Sequence, residues 1–304
     1  MSDPHVTILM ATYNGAAFIE AQLVSICDQQ HKKLTIIISD DGSTDATIDI
    51  ARQFADRHPG LEFVFLDGPG QGSSANFWHL VDHIPRSTDY AAFADQDDVW
   101  MSCKVTAAIE KLPTHGGPAL YGARSIETNH QLKCIRASAR LRLNPCFENA
   151  LVQNVFSANS CVVNRAGINL LRRIRGRGHI FDWYLYQVFS GAGATLIHDA
   201  IPRLYYRQHG QNQIGANRGF KARINRVRQV LSGEYRGWNE ANIAALNCDF
   251  DLLTRENQKL LRRFERLRKH SGVCALWKMF KTRLKRQGPV GQLGLYLSAA
   301  FGKL

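Results

Sequence analysis

Four short apolar runs punctuate the first hundred residues. They are Val6–Ala11 (VTILMA), Leu34–Asp40 (LTIIISD), Leu61–Asp67 (LEFVFLD) and Thr88–Asp95 (TDYAAFAD). The run at 34–40 is apolar with no polar alternation, as expected of a strand covered on both faces. Between the runs, apolar residues recur near helical spacing. Ala16–Gln29 carries Phe18, Leu23 and Ile26, Asp45–His58 has Ser43 or Thr44 available as its cap, and a third helix runs over 74–84. Strand and helix alternating in this order predict an α/β fold with a parallel, doubly wound sheet. Its ligand crevice should open at the C-terminal ends of the strands.

Beyond Lys104 the pattern is mixed. Residues 144–175 read as mainly helical with a short strand at 161–163, and Ala194–His198 and Arg203–Tyr206 read as strands. From Lys221 to Lys285 the chain is helical and basic. Charge sharpens that boundary. Residues 1–219 carry 20 Lys/Arg and 20 Asp/Glu, whereas residues 220–304 carry 18 and 6, so the net charge of +12 lies wholly in the second stretch. The expected organisation is one α/β domain over 1–219 and a basic helical extension over 220–304. Such an excess attracts an anionic surface, either lipid headgroups or nucleic acid. Within 255–286, Leu260, Leu261, Phe264, Leu267, Trp277, Phe280 and Leu284 are interleaved with the cations, a pattern that suits an interfacial helix.

Seven widely spaced cysteines with no CxxC pair read as reduced thiols. The first residues have no basic and apolar leader, and no stretch reaches the roughly 18 apolar residues a membrane span needs. The expected location is the cytoplasm, peripheral on the inner face of the cell membrane.

Acidic residues fall where such a sheet places ligands. Asp40 and Asp41 open DDGSTD at the end of the second run, where desolvated carboxylates need donors and can accept from a base N–H or a ribose hydroxyl. Asp45 reads as a plain helix cap. In FADQDDVW, Asp95, Asp97 and Asp98 follow the fourth run, and residues i and i+2 of extended chain face the same way. Carboxylates so close repel unless a cation lies between them, and Mg²⁺ or Mn²⁺ suits such hard oxygen ligands. Asp182, in HIFDWYLY, is an acid among apolar residues at a helix start, either a cap or a general base. In YRQHGQN, Arg207 and His209 offer phosphate and metal contacts. The Gly68–Gly72 segment GPGQG does not open a helix as GxGxxG should, and there is no Walker A, GxSxG or HExxH sequence.

Taken together, ILMATYNG, FIEAQLVSICDQQ, IIISDDGSTDAT, FADQDDVW, FDWYLY and YRQHGQNQIGA, in this order over residues 6–216, resemble family 2 glycosyltransferases of the GT-A fold, especially rhamnosyltransferase-like enzymes of bacterial surface polysaccharide synthesis. The resemblance implies a nucleotide-diphosphate sugar donor, a divalent cation (Mg²⁺ or Mn²⁺), and a glycan or lipid-linked glycan acceptor, with no nucleic acid. It implies that Ala11 and Tyr13 line the base pocket, that Asp41 reads the pyrimidine N3–H, and that Asp95 and Asp97 form the D-x-D pair with Asp97 on the metal. Asp182 then falls at the catalytic base, giving a single displacement with inversion, and His209 at a metal or pyrophosphate contact. Where the family pattern reads His-Asp-Trp, this chain has Phe181-Asp182-Trp183. The alternatives are a nucleotidyltransferase, although ATYNGAAF lacks its Arg- or Lys-bearing phosphate loop, and a nucleic-acid binder acting through the basic stretch.

Overall fold

The structure is a computed structural model that describes residues 3–209 and 234–304. The four apolar runs are strands β1 (Val6–Thr12), β2 (Leu34–Asp40), β3 (Glu62–Asp67) and β4 (Tyr90–Asp95). They pair in parallel in the order β3-β2-β1-β4. Helices α1 (Ile19–Cys27), α2 (Thr47–Asp56), α3 (Ser73–Asp82) and α4 (Lys104–Lys111) lie among them in sequence. Val6, Ile8 and Met10 join Ile19, Leu23 and Ile26 of α1 and Phe54 of α2 in one core cluster. The alternate residues face α3, whose Phe77 ring lies 6.0 Å from Phe93. Both faces are thus covered, and β1 is buried along its whole length. Each fully buried aliphatic side chain contributes about 1.5–3 kcal/mol.

The sheet continues in antiparallel fashion. β8 (Val162–Asn164) pairs with β4, and β6 (Ala119–Thr128) pairs with β8 and with β7 (Cys134–Ala137). A two-residue β5 (Val99–Trp100) pairs with β9 (Thr195–Arg207). Two expectations are corrected here. The sequence pattern gives no sign of β6, because its run mixes Gly122, Arg124 and Ser125 with apolar residues and has no clean period. The two strands expected after residue 194 are one, continuing through Pro202. The node that holds it is Asp199, buried to 3% exposure. Asp199 accepts from the Ile201 N–H, Tyr121 Oη, Lys111 Nζ and Arg203 Nε. Burial alone would raise this carboxylate, but these donors hold it below the usual range.

The helix cap also differs. α2 begins at Thr47, and neither Ser43 nor Thr44 caps it. Nor is Asp45 the cap: Ala46 precedes the helix, and Asp45 accepts the Thr47 N–H at 3.0 Å from one position further back. The GPGQG loop does lead directly into a helix, with Gly72 the residue preceding α3.

The chain forms two compact units. One gathers Met1–Arg140, Phe156–Arg173 and Ile197–Asn212, and the other gathers Leu141–Val155, Ile174–Leu196 and Gln213–Leu304. Segments 141–155 and 174–196, ahead of residue 219, therefore group with the C-terminal helices. The second unit holds α5 (Phe147–Ala150) and α7 (Phe181–Gly191), α6 (Arg165–Leu171) belonging to the first. It also holds helices Glu234–Cys248, Arg255–Arg268, Gly272–Thr282 and Pro289–Ala300. Its polar centre is the fully buried Asp249, which accepts from Tyr184 Oη at 2.7 Å and from the N–H groups of Arg175 and Gly176. Leu260, Leu261, Phe264, Leu267 and Leu284 are buried here, so they are core residues and not part of an interfacial face. The outer side of Arg255–Arg268 lines a concavity of about 460 Å³ with Arg255, Lys259, Arg262, Arg263 and Arg266. The helical reading of 221–233 lies outside the described residues.

Because the native Asp199 binds its proton more weakly than the usual carboxylate near pH 4, its contribution is present above that pH and disappears as pH falls through the native value. Asp199→Asn should lower the melting temperature by several degrees at pH 7, and the difference from wild type should shrink as the pH falls below the usual carboxylate range. Thermal melts across that range measure it.

Candidate active site

The C-terminal ends of β2, β1 and β4 stand side by side. Ala11 is in register with Ser39 and Asp95, and Thr12 with Asp40. The loop after β1 is held by the loop after β2. Asn14, in the left-handed region at φ 47, donates its N–H to Ser43 Oγ, and its side chain accepts from the Thr44 N–H. The N–H groups of Gly15 and Ala16 go to Thr47 Oγ1 and Asp45. Asp40 closes its own loop by accepting from Thr12 Oγ1, Ser43 Oγ and the Ser43 N–H. DDGSTD is therefore largely a scaffold for TYNGA. Asp41, 9% exposed, accepts the Gly70 N–H at 2.8 Å and the Gly72 N–H at 2.6 Å. The N–H groups that might have received a phosphate from the GPGQG loop are thus directed at a carboxylate.

Tyr13 projects outward, 57% exposed, from a backbone gripped on both sides by Gln96. Gln96 Oε1 accepts the Tyr13 N–H at 2.9 Å, and Gln96 Nε2 donates to the Tyr13 carbonyl at 2.8 Å. A Cβ at Gly15 would lie 2.1 Å from Gln96 Oε1, so any side chain there would displace the Gln96 amide from Tyr13.

After β4, ligand oxygens of Asp95, Asp97 and Asp98 all lie within 4.8 Å of one another. Asp98 is fully buried, and its carboxyl is held well above the usual range by burial first, then by Asp97 and Asp95. Its oxygens accept from Asn159 Nδ2 at 2.5 Å and the Arg207 N–H at 3.3 Å. His209 Nε2 and Asp97 Oδ2 are 2.7 Å apart, and the His209 ring stacks on Phe18 with centroids 4.6 Å apart. Arg207 differs from its expected place at a phosphate. It is 6% exposed, it donates to the carbonyls of Asp97 and His130, and its guanidinium lies 4.9 Å from the Phe18 centroid. Those bonds make it a clamp on the acidic loop. Lys104 is also fully buried, its Nζ over the Trp100 ring and without a hydrogen bond among the described residues. Burial pushes its ammonium well below the usual lysine range, against the pull of Asp98.

The acidic loop is pinned from behind by α1. Gln22 Nε2 donates to the Asp95 carbonyl at 2.8 Å, Ser25 Oγ accepts the Trp100 N–H at 2.9 Å, and Gln29 bonds both the Met101 carbonyl and the Val105 N–H. All three side chains are buried. Sequence reasoning missed them, along with Gln96, Phe18 and Asn159. Part of the signal was present: Gln22 and Ser25 lie at i and i+3, polar positions on the face of α1 that also carries Leu23 and Ile26.

Asp182 is placed in the second compact unit, half-buried in the first turn of α7. Ile180 is the residue that precedes the helix, so Asp182 is not its cap. Trp183 beside it donates its indole N–H to the Ala150 carbonyl at 2.7 Å.

A mixed α/β sheet with acidic residues gathered at the ends of its parallel strands is the GT-A arrangement. The comparisons with known proteins agree. The model of glycosyl transferase family 2 matches residues 7–173. The dTDP-rhamnosyl transferase RfbG of Shigella flexneri is 30% identical over 240 residues, 75% of this chain and 81% of that one. The mannosyltransferase PcManGT of Pyrobaculum calidifontis, solved with GDP-Man and Mn²⁺, matches with a TM-score of 0.52 at 17% identity, over 100% of this chain and 88% of that one. Residues 1–349 of S. aureus TarS, solved with UDP-GlcNAc, match with a TM-score of 0.51 at 11% identity, over 91% and 89%. This chain belongs to glycosyl transferase family 2 and is a glycosyltransferase, which displaces the nucleotidyltransferase alternative.

Removing Gln22 leaves the Asp95 carbonyl without that donor. Gln22→Ala should cost about 1–3 kcal/mol in urea unfolding, whereas Val24→Ala on the exposed face of α1 should stay within about 0.5 kcal/mol. Equal costs for the two would refute the pinning role.

Proposed function

We propose that this glycosyltransferase moves a sugar, rhamnose in our reading, from a nucleotide-diphosphate donor to a hydroxyl of a glycan or lipid-linked glycan during surface polysaccharide synthesis. The observation that carries the reading is the convergence of Asp95, Asp97 and Asp98 beside the ends of β1 and β2. The similarity to a dTDP-rhamnosyl transferase supports the donor sugar. The acceptor reading puts the enzyme at the inner face of the cell membrane. Among the described residues no helix is long and apolar enough to cross one, so association there would be peripheral, through the basic region 220–304.

The roles are those the family resemblance implies, and the geometry supports them. Tyr13, with its backbone fixed and its ring exposed, stacks on the base, over the floor formed by Ala11 at the end of β1. Asp41 orients the base. Two glycine N–H groups already bind its oxygens, but a carboxylate has about four acceptor positions, so it can also take a base N–H. The hard oxygen donors of Asp95 and Asp97, with the buried Asp98 beside them, and the imidazole of His209 fit a divalent cation, Mg²⁺ or Mn²⁺. When bound there, the cation supplies positive charge to the diphosphate. Arg207 and the polar side chains of α1 hold the carboxylates in place, so little reorganisation is needed on binding.

Asp182 is the general base. Its carboxylate takes the proton of the acceptor hydroxyl as that oxygen bonds to the anomeric carbon. The bond from that carbon to the diphosphate oxygen breaks, and its electron pair leaves with the diphosphate. One displacement inverts the anomeric centre.

Two experiments test these assignments. In a thermal-shift screen of nucleotide-sugars, dTDP-rhamnose with Mn²⁺ should raise the melting temperature by several degrees, since ligand at about 100 times its Kd adds about 2.7 kcal/mol. Asp97→Asn should abolish the Mn²⁺-dependent part, and an Mn²⁺ shift of equal size in that variant would remove Asp97 from the metal site. Asp182→Asn should lower the transfer rate by about 10²–10⁴ while leaving the donor-induced shift intact. A near-normal rate in the folded variant would exclude the base role.

A further inference from the structure

The last two helices turn large apolar side chains outward. On Gly272–Thr282, Ala275, Met279 and Thr282 are buried, while Val273, Trp277 and Phe280 are 83%, 57% and 69% exposed. On Pro289–Ala300, Leu295, Ser298 and Ala299 are buried, while Val290, Leu293 and Leu297 are exposed, a stripe that Phe301 continues. The spacings i, i+4, i+7 and i, i+3, i+7, i+11 place each set on one helical face, opposite the buried one. The two helices pack together, and the Phe280 and Tyr296 rings are 5.7 Å apart, so the stripes adjoin. Single exposed apolar residues need no explanation, but two adjoining stripes of them mark an interaction surface.

Charge identifies the partner. Residues 266–304 carry nine Lys/Arg and no Asp or Glu. One of these cations stands at the stripe itself, with Lys281 Nζ 3.6 Å from the Trp277 ring centroid. A second copy of this face would set cations against cations. Nucleic acid would answer the charge and leave the apolar stripes in water. A bilayer bearing anionic headgroups answers both, with phosphates for the cations and acyl chains for the stripes.

We propose that the outward faces of Gly272–Thr282 and Pro289–Ala300 form a docking surface for an anionic lipid bilayer. Trp277, Phe280, Leu293 and Leu297 enter the interface, while Lys278 and Lys281 meet headgroup phosphates. This deepens the membrane-acceptor reading and rests on it for its purpose. Its test needs neither donor nor acceptor, so the two readings can fail separately.

The full chain is mixed with vesicles of phosphatidylcholine alone or with phosphatidylglycerol, and binding is read by co-sedimentation. Binding should require phosphatidylglycerol and weaken with salt. Trp277 is the one tryptophan in the exposed class, so vesicles should shift emission to the blue in wild type and not in Trp277→Phe. The double variant Phe280→Ala, Leu297→Ala should bind at least about tenfold more weakly. Lys278→Glu with Lys281→Glu should lose more than about tenfold, at roughly fivefold per cation removed. All variants should keep the wild-type melting temperature and donor hydrolysis, which shows that they fold. Equal binding to both vesicle types would overturn the proposal, as would unchanged binding by the apolar double variant. So would an absence of vesicle binding combined with a dimer that the double variant converts to monomer, which would assign the face to a second copy.

Discussion

Like charges stay together only where the chain that bears them is held against their repulsion. Asp95, Asp97 and Asp98 leave the end of β4 within a few ångströms of one another, and no part of that turn is long enough to hold itself. It is held from both sides. Gln22 and Ser25 reach it from the buried face of α1, Gln29 from just past that helix's end, and Arg207 binds the Asp97 carbonyl from the end of β9. Each of these side chains gives up hydration to be buried and regains it as hydrogen bonds to backbone groups that would otherwise be unmet. The result is a fixed cluster of negative charge, where a cation binds without first having to organise its ligands.

The same economy governs the neighbouring loop. An isolated reading of DDGSTD invites a ligand for Asp40 and Asp41. In the folded chain Asp40 and Asp45 are spent on the chain's own hydroxyls and N–H groups, and Asp41 on two glycine N–H groups. These bonds fix the loop after β1 and, with Gln96, leave the Tyr13 ring facing outward. Function there depends on what the loop presents, and most of the motif's polarity is consumed in presenting it.

The C-terminal helices divide into two kinds. Arg255–Arg268 buries Leu260, Leu261, Phe264 and Leu267 and shows its arginines to solvent. Gly272–Thr282 and Pro289–Ala300 bury Ala275, Met279, Leu295 and Ala299 and show Trp277, Phe280 and Leu297. Both patterns are amphipathic, and periodicity alone does not say which face looks inward.

Much of this protein was legible in one dimension. The runs at 6, 34, 61 and 88 are apolar without alternation because both faces of those strands are covered, and that property is local enough to be read from the residues themselves. The acids at strand ends were legible for the same reason, since a parallel strand's C-terminus is where its chain must turn. β6 was not, because its mixture of Gly122, Arg124 and Ser125 with apolar residues makes sense only against Phe156 and its neighbouring strands. Nor were the roles of Gln22 and Gln96, or the diversion of Arg207 from a phosphate to two carbonyls. Sequence by itself determined which segments form the parallel strands and that their ends carry carboxylates. Tertiary structure alone decided which polar side chains are spent inside the fold and which are left to act, because a hydrogen bond between residues 73 or 110 positions apart exists only once the chain has closed.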